Sequence, residues 1–253
     1  MRALNKRVEV DGTPVATVAR DALRELGLVN APASSATSNA SRSRVGLLAY
    51  LAEQRVSLAR LTLRHVELVA LSLIIAIAIA LPLGLALERA GRGAEAFIRS
   101  IGVLQTLPGI ALLAFMIPFF GIGVLPALIA LVLYSLYPIV RNTYTGVRDA
   151  DPAAVAAAHA LGMTDAQILR EVRLPLAGPI IMAGVRTAAV IDVGTATLAA
   201  FIGAGGLGEP IVAGLALSDT RMILSGAIPA ALLAVAVDAG LAIVERSTRP
   251  GYR

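Results

Sequence analysis

The amino-acid sequence predicts an all-α integral membrane protein with five transmembrane helices. Of its 253 residues, 57% are hydrophobic, and the mean hydropathy is +0.78. Only 15% of the residues are charged, whereas a soluble domain usually carries about 25%. The apolar residues also gather in blocks close to the roughly 20 residues that a helix needs to cross a bilayer. A buried soluble core would not need blocks of that length.

The first 64 residues precede the first apolar block. No apolar signal-peptide core is visible among residues 1–30, so the first span is expected to act as its own insertion signal. Residues 1–44 are interpreted as an N-terminal extension that ends in a flexible linker rich in Ser, Ala and Asn. Residues 45–64 have leucines near helical spacing, but Arg55 and Arg60 exclude a span there. They predict an amphipathic helix in the membrane interface.

The first three spans are predicted at about 68–87, 101–120 and 124–140. Residues 68–87 contain no charge. From Ser100 to Val140 there is again no charged residue, and this stretch is too long for a single span. The sequence Gly121-Ile122-Gly123 divides it, which predicts a tight hairpin of two helices.

The last two spans are predicted at about 179–202 and 222–244. The fourth span contains Arg186 near one end and Asp192 in its middle, and the fifth span contains Asp238. Ionisable residues inside a membrane are costly and are often functional.

The basic residues predict how the chain is oriented. All but one of the 22 basic residues are Arg, and they flank the apolar blocks. This pattern indicates that the basic residues orient the chain in the membrane and do not bind nucleic acid. No nucleic-acid partner is therefore expected. Segments 88–100, 141–178 and the tail 246–253 are rich in Arg and are expected in the cytoplasm with the C-terminus. Five spans then place the N-terminus outside, although Arg60 and Arg64 near the first span run against the rule.

The charged segment between spans three and four, residues 149–175, predicts two short helices. Asp151-Pro152 supplies an N-cap and a proline suited to the first helical turn, and the alanines that follow favour a helix. Gly162 is typical of a residue that ends a helix. Thr164-Asp165-Ala166-Gln167 is a capping-box pattern that opens a second helix, and Leu174-Pro175 is expected to end it.

This segment resembles the EAA loop of ABC-importer permeases, whose pattern is EAA-x3-G-x9-I-x-LP. The spacing matches throughout, with Val172 in place of the Ile and Ala156 in place of the Glu, a departure that removes any polar contact the Glu makes to an ATPase. An ordinary amphipathic cytoplasmic loop is the alternative interpretation. The resemblance implies a cytoplasmic coupling helix that docks in a cleft of an ABC ATPase dimer and transmits its closure. The matching residues are Ala156, Ala157, Ala158, Gly162, Val172, Leu174 and Pro175.

A longer resemblance covers residues 64–245. Segments 104–147 and 184–215 are similar to those of permeases for osmoprotectants, the quaternary amines glycine betaine, choline and carnitine. The resemblance implies a type I ABC importer permease fold at residues 65–245, in a multi-pass protein of the bacterial cell (inner) membrane. The subgroup has Asn at the position of Asp192, so this chain departs from it there.

Several residues are candidates for a translocation path or its gate. Three interpretations of Asp192 stay open: it meets a cation in transit, it hydrogen-bonds across a subunit interface, or it is protonated. The glycines at 203–208 disfavour a lipid-facing helix and predict a re-entrant or external gate loop, with a plain turn as the alternative. Span two is interrupted, which predicts a broken helix whose carbonyls face a substrate. The candidates are Gln105, Pro108, Asp192, Thr195, Gly203, Gly205, Gly206 and Gly208.

No cofactor is expected in this chain, because it lacks a phosphate-binding G-x-x-x-x-G-K-[ST] loop. The resemblance implies that a partner ATPase binds ATP and Mg²⁺, which makes this chain a transport subunit and not an enzyme. It also implies a second permease subunit (the same chain or a sister chain), a periplasmic or extracellular substrate-binding protein, and surrounding membrane lipid. Other functions stay open: a permease for methionine, phosphonate or nitrate, an ion-coupled secondary transporter that uses Asp192 and Asp238, and a membrane scaffold.

Overall fold

The computed structural model describes residues 15–25 and 46–247, and within these ranges the chain forms helices joined by short turns. It divides into two units, residues 1–49 and 50–253. Helix α1 (Val15–Glu25) belongs to the first unit. The predicted linker and residues 248–253 of the predicted tail lie outside the described residues.

The first span is longer than predicted. Helix α2 (Leu47–Glu53) ends at a turn around Gln54, and helix α3 (Arg55–Ala90) follows it for 36 residues. The amphipathic helix predicted at 45–64 is thus divided at Gln54, and its second half opens α3 because no Gly or Pro interrupts the chain there. A helix of this length measures about 54 Å, whereas the hydrocarbon of a bilayer is about 30 Å thick. Part of α3 therefore extends beyond the hydrocarbon.

The second span is bent, as its interruption predicts. It consists of α4 (Ala94–Val103) and α5 (Gly109–Phe120), whose directions differ by 96°. Between them, Leu107 and Pro108 both have extended backbone. Proline disfavours helical geometry in the residue before it, which explains why the helix breaks at Leu107. The span also begins earlier than residue 101, because α4 follows almost directly after α3.

Helix α6 (Val124–Arg148) forms the third span and continues past the predicted end at residue 140. The turn that separates it from α5 contains Gly121 and Gly123, both with positive φ angles of 75° and 116°. Glycine adopts such angles without steric cost, which confirms that the hairpin turns here. Beyond the apolar stretch, Arg141 of this helix pairs with Glu95 of α4 at 2.7 Å.

The fourth span starts inside the segment that follows α7 (Pro152–Ala160). A short α8 (Asp165–Gln167) passes into a π-helical turn at Ile168–Arg173, and α9 (Leu174–Leu198) continues without a break. The predicted stop at Leu174-Pro175 is therefore wrong. The wider turn precedes Pro175, so this proline lies in the first turn of α9, where a missing N–H costs little.

The glycine-rich stretch is only partly irregular. A 3₁₀ turn at Ala199–Ile202 leads into the loop, and Gly208 is already the first residue of α10 (Gly208–Leu217). The sequence analysis missed this helix because three of its residues are Gly or Pro. The last span is α11 (Thr220–Ser247).

Helix α6 lies at the centre of the second unit, with α3 and α9 packed along it, and α11 packs against α9 and α10. Within the described residues, α3, α6, the continuous helix 165–202 and α11 are long and apolar enough to cross a membrane. Counted as one bent span, the α4–α5 pair brings the number to five, which matches the prediction. Two glycines permit the close crossings: a Cβ on Gly84 would lie 2.7 Å from Thr143, and one on Gly184 would lie 2.6 Å from Asn142.

Candidate functional site

Helix α7 has a complete cap at each end, as the sequence predicts. The Asp151 side chain accepts a hydrogen bond from the Ala153 N–H at 2.9 Å. At the other end, Gly162 has a φ of 78°, and the N–H groups of Gly162 and Met163 donate to the carbonyls of His159 and Ala158. This pair of bonds is a Schellman motif. The helix is therefore short because both of its ends are closed by local hydrogen bonds.

The alanines of α7 divide between two faces. Ala156 and Ala157 are exposed, whereas Ala158 is buried. Helix α7 therefore presents small side chains outward and uses the opposite side to pack on the π-helical turn. Of the remaining loop residues singled out from the sequence, Val172 and Leu174 are half-buried, and Gly162 and Pro175 are exposed.

The loop after α7 is closed by a reciprocal capping box, which confirms the sequence pattern. The Thr164 N–H donates to Gln167 Oε1 at 2.8 Å, and the Gln167 N–H donates to Thr164 Oγ1 at 3.4 Å. These two bonds satisfy backbone donors that would otherwise have no partner in a helix of this length.

An ion pair connects this loop to the end of the first span. Arg173, in the π-helical turn, donates to Glu88 of α3 at 2.6 Å, with the side chains 30% and 16% exposed. Glu88 and Arg173 also line a polar recess together with His159 and Asp165. The ion pair thus holds the segment that follows α7 to α3, and the same segment continues directly into α9.

The break in the second span is fastened to α6 by side chains. Gln105 donates from Nε2 to the Tyr134 carbonyl at 2.9 Å, and the Tyr134 hydroxyl donates to the Leu107 carbonyl at 2.6 Å. The Tyr134 hydroxyl therefore satisfies the backbone carbonyl of Leu107 at the break. Pro108 is exposed, and the adjacent Gly109 lies beside Leu198 and Thr195 of α9.

The glycine-rich loop is buried against the bundle. Gly203, Gly205 and Gly206 all have positive φ angles, and residues 204–208 are buried. A Cβ on Gly206 would lie 3.0 Å from Nδ1 of His65, so a side chain at this position would displace the imidazole. At the start of the loop, the Ile202 carbonyl accepts a hydrogen bond from Gly123 at 2.7 Å. The loop therefore lies at the same end of the bundle as the α5–α6 turn, opposite to α7.

His65 is a residue of this site that the sequence analysis missed. It is fully buried in α3. Its Nε2 lies 3.0 Å from the Val193 carbonyl of α9, and its Nδ1 lies 3.3 Å from the Leu207 N–H. The sequence contains no signal for these partners, because they come from distant segments and His65 itself stands among charged residues.

Asp192 is buried in the middle of the bundle. It is 0% exposed, and its Oδ2 lies 2.7 Å from the Ser72 hydroxyl of α3. Its Oδ1 has no hydrogen-bond partner within the described part of the chain. The structure therefore places Asp192 between helices of this subunit, whereas Thr195, one turn further along α9, is half-buried beside Gly109.

Arg186 and Asp238, which the sequence analysis also found inside the predicted fourth and fifth spans, form an ion pair. Arg186 of α9 contacts both carboxylate oxygens of Asp238 of α11, at 2.5 and 2.7 Å, and reaches Glu245 at 3.4 Å. The pairing with Asp238 is bidentate, the strongest geometry for such a contact. Asp238 therefore already has a cationic partner, which the ion-coupled hypothesis did not foresee.

Residues 67–250 match the family of binding-protein-dependent transport system inner membrane components. Among curated proteins, the chain is 43% identical over 189 residues to the choline transport system permease protein OpuBB of Bacillus subtilis, covering 75% of this chain and 87% of that one. It is 43% identical over 186 residues to the glycine betaine/carnitine/choline permease OpuCB of Bacillus subtilis, covering 74% and 86%. It is also 44% identical over 194 residues to the osmoprotectant import permease OsmW of Salmonella typhimurium, covering 75% and 90%.

Solved structures agree in fold. The chain matches the inward-facing MetNI methionine ABC transporter with a TM-score of 0.69 at 21% identity, covering 78% of this chain and 98% of that one. It matches an amino acid ABC transporter crystallised with histidines with a TM-score of 0.66 at 18% identity, covering 80% and 99%. The architecture is therefore that of type I ABC importer permeases.

Proposed function

Because this chain belongs to the family of binding-protein-dependent transport system inner membrane components, we propose that it is the permease subunit of an ABC importer for quaternary-amine osmoprotectants such as glycine betaine, choline or carnitine. The identity of 43–44% to permeases named for these compounds carries the substrate class. The methionine and amino acid transporters share only 21% and 18% identity, so they support the fold and not the substrate.

The outward face of α7 supports a docking role for this helix. Ala156 and Ala157 present small side chains, which allow another protein surface to approach the helix backbone closely. Local hydrogen bonds close both ends of this helix, and the Glu88–Arg173 pair and the continuous α9 connect the segment that follows it to two spans. The proposed partner is a cytoplasmic ABC ATPase dimer, which would bind ATP and Mg²⁺ itself.

Further partners follow from the same assignment. The apolar surface of α11 is largely exposed, with Leu232, Val235 and Ile243 more than 60% exposed. This leaves an apolar surface for lipid or for a second permease subunit, either the same chain or a sister chain. A periplasmic or extracellular substrate-binding protein would deliver the solute to the end of the bundle that carries the glycine-rich loop. In this orientation the α7 end and the C-terminus face the cytoplasm, and the N-terminus lies outside.

Uptake measurements test the substrate class. Deleting the gene in the organism that encodes it should lower the uptake of labelled glycine betaine or choline at high osmolarity, and re-expression should restore it. Uptake of methionine should not change, which serves as the control. Loss of methionine uptake with unchanged betaine and choline uptake would contradict the proposed substrate class.

Single-cysteine labelling tests the orientation, because the natural chain contains no Cys. Ala157→Cys lies on the exposed face of α7, and Ile122→Cys lies in the α5–α6 turn, where the side chain is 77% exposed. In intact cells, a membrane-impermeant maleimide should label the Ile122→Cys variant and leave the Ala157→Cys variant unlabelled until the cells are broken. The reverse pattern would place α7 outside, where no ATPase could reach it.

A further inference from the structure

We propose that Asp192 is held as a neutral, protonated carboxylic acid that donates a hydrogen bond to Ser72 in the core of the bundle. The inference concerns the chemical state of the residue and does not depend on the transported substrate. It chooses among the three interpretations that the sequence left open. It also determines whether this subunit carries a fixed negative charge at the centre of the membrane.

The Ser72 hydroxyl lies within hydrogen-bonding distance of two oxygen atoms. Its Oγ lies 2.7 Å from Asp192 Oδ2 and 2.9 Å from the Val69 carbonyl oxygen. A serine hydroxyl has one proton to donate, and a carbonyl can only accept. A proton on Asp192 satisfies both short contacts: the acid donates to Ser72, and Ser72 donates to Val69. Without that proton, Ser72 could donate to only one of the two oxygens.

The surroundings of the Asp192 carboxyl group also disfavour a negative charge. Asp192 is 0% exposed, and its Oδ1 has no hydrogen-bond partner among the described residues. A carboxylate that is buried without a cation, and that has one oxygen without a hydrogen-bond partner, is strongly disfavoured. The carbonyl oxygen of a neutral acid tolerates the same position at a much lower cost.

No positive charge compensates Asp192 in the described part of the chain. From α3 it meets the Ser72 hydroxyl, and from α6 it faces the Ser135 hydroxyl, whose oxygen has no hydrogen-bond partner there. His65 lies about two turns before Ser72 on α3. Its ring is neutral, because Nε2 donates to the Val193 carbonyl while Nδ1 accepts from Leu207.

The ion pair between the fourth and fifth spans does not supply the missing cation either. Arg186 is engaged in its bidentate contact with Asp238 of α11 and reaches towards Glu245. The elements packed around Asp192 therefore offer it hydroxyl groups and apolar side chains. This environment suits a neutral acid that connects α3 to α9.

Infrared difference spectroscopy of the full-length protein in lipid tests the proposal directly. At neutral pH, the wild-type spectrum minus that of Asp192→Asn should contain the carbonyl band of one protonated carboxylic acid, shifted in D₂O. Ser72→Ala removes the acceptor and should move this band to higher frequency without abolishing it. A difference spectrum that contains only carboxylate bands would overturn the proposal, and so would loss of the acid band on adding sodium or choline.

Thermal unfolding gives a second, independent measurement. The amide introduced by Asp192→Asn has the same shape as the acid, needs no added proton, and can donate to Ser72 as the acid does. The variant should therefore unfold at the wild-type temperature or above it. Unfolding at a clearly lower temperature would mean that the native group is a charged acceptor, and this result would contradict the proposal.

Discussion

The backbone N–H of Leu207 donates a hydrogen bond to Nδ1 of His65, and this bond joins the glycine-rich loop to the first span across 3.3 Å. The opposite ring nitrogen, Nε2, donates to the Val193 carbonyl. One buried imidazole thus connects three segments that are far apart in sequence. The loop is fixed by a side chain and not only by its own glycines.

Two substitutions of His65 distinguish its contact with Leu207 from its contact with Val193. In His65→Asn the amide oxygen can take the place of Nδ1 and keep the acceptor for Leu207, whereas His65→Ala removes both contacts and leaves a cavity. We expect a loss of about 2–4 kcal/mol in the free energy of unfolding for Ala and a smaller loss for Asn. Hydrogen exchange at the Leu207 amide should accelerate in the Ala variant only.

The other histidine provides the control. His159 is exposed on α7, so His159→Ala should change the free energy of unfolding by no more than about 0.5 kcal/mol. Equal exchange rates at Leu207 in the His65→Ala variant and the wild type would mean that the imidazole does not hold the loop.

A methyl group at Gly184 should disturb the crossing of α6 and α9. Its Cβ would lie 2.6 Å from the Asn142 Cβ and 2.7 Å from the Pro138 carbonyl oxygen. Overpacking of this kind costs about 1–3 kcal/mol, so Gly184→Ala should lower the unfolding temperature. Gly194 lies on the same helix with open space around it, and Gly194→Ala should leave that temperature unchanged or raise it. Equal effects at the two positions would exclude helix crossing as the cause.

A large side chain on the outer face of α7 should block partner docking without unfolding the protein. Ala157 is exposed, so Ala157→Trp should change the unfolding free energy by about 0.5 kcal/mol or less. It should nevertheless abolish copurification with the ATPase and transport. Ile122→Trp, at the opposite end of the bundle, should retain the copurification. Normal copurification of the Ala157→Trp variant would show that α7 is not the docking surface.

The Glu88–Arg173 pair should contribute a measurable coupling energy. In a double-mutant cycle with Glu88→Gln and Arg173→Gln, we expect a coupling of about 1 kcal/mol, because the pair is partly buried and short. The exposed pair Arg64–Glu67 is equally short, and it should give about 0.3 kcal/mol. The contact is unimportant if both cycles give the same small value.

The features that could be predicted from the sequence are those that local chemistry determines. The gaps between charges located the spans, and Asp151, Gly162 and Thr164 marked the ends of short helices because their hydrogen bonds are made within a few residues. The break at Pro108 was predictable for the same reason. Proline acts on its neighbours whatever the rest of the chain does.

The features that could not be predicted depend on distant partners. His65 gains its role from Leu207 and Val193, and the continuity of α9 through Pro175 depends on the π-helical turn before it. Helix α10 forms in a stretch of low helix propensity because it packs against α11, and packing regularly overrides propensity.

The π-helical turn at Ile168–Arg173 also determines which way two apolar side chains point. Ile168 and Ala177 are nine positions apart, and in an uninterrupted α-helix they would differ by about 180° around the axis. The turn accommodates one additional residue, which reduces the difference to about 80°. Both side chains are buried, at 2% and 0% exposure. A single inserted residue thus determines how the α7–α8 segment is rotated about the axis of the fourth span.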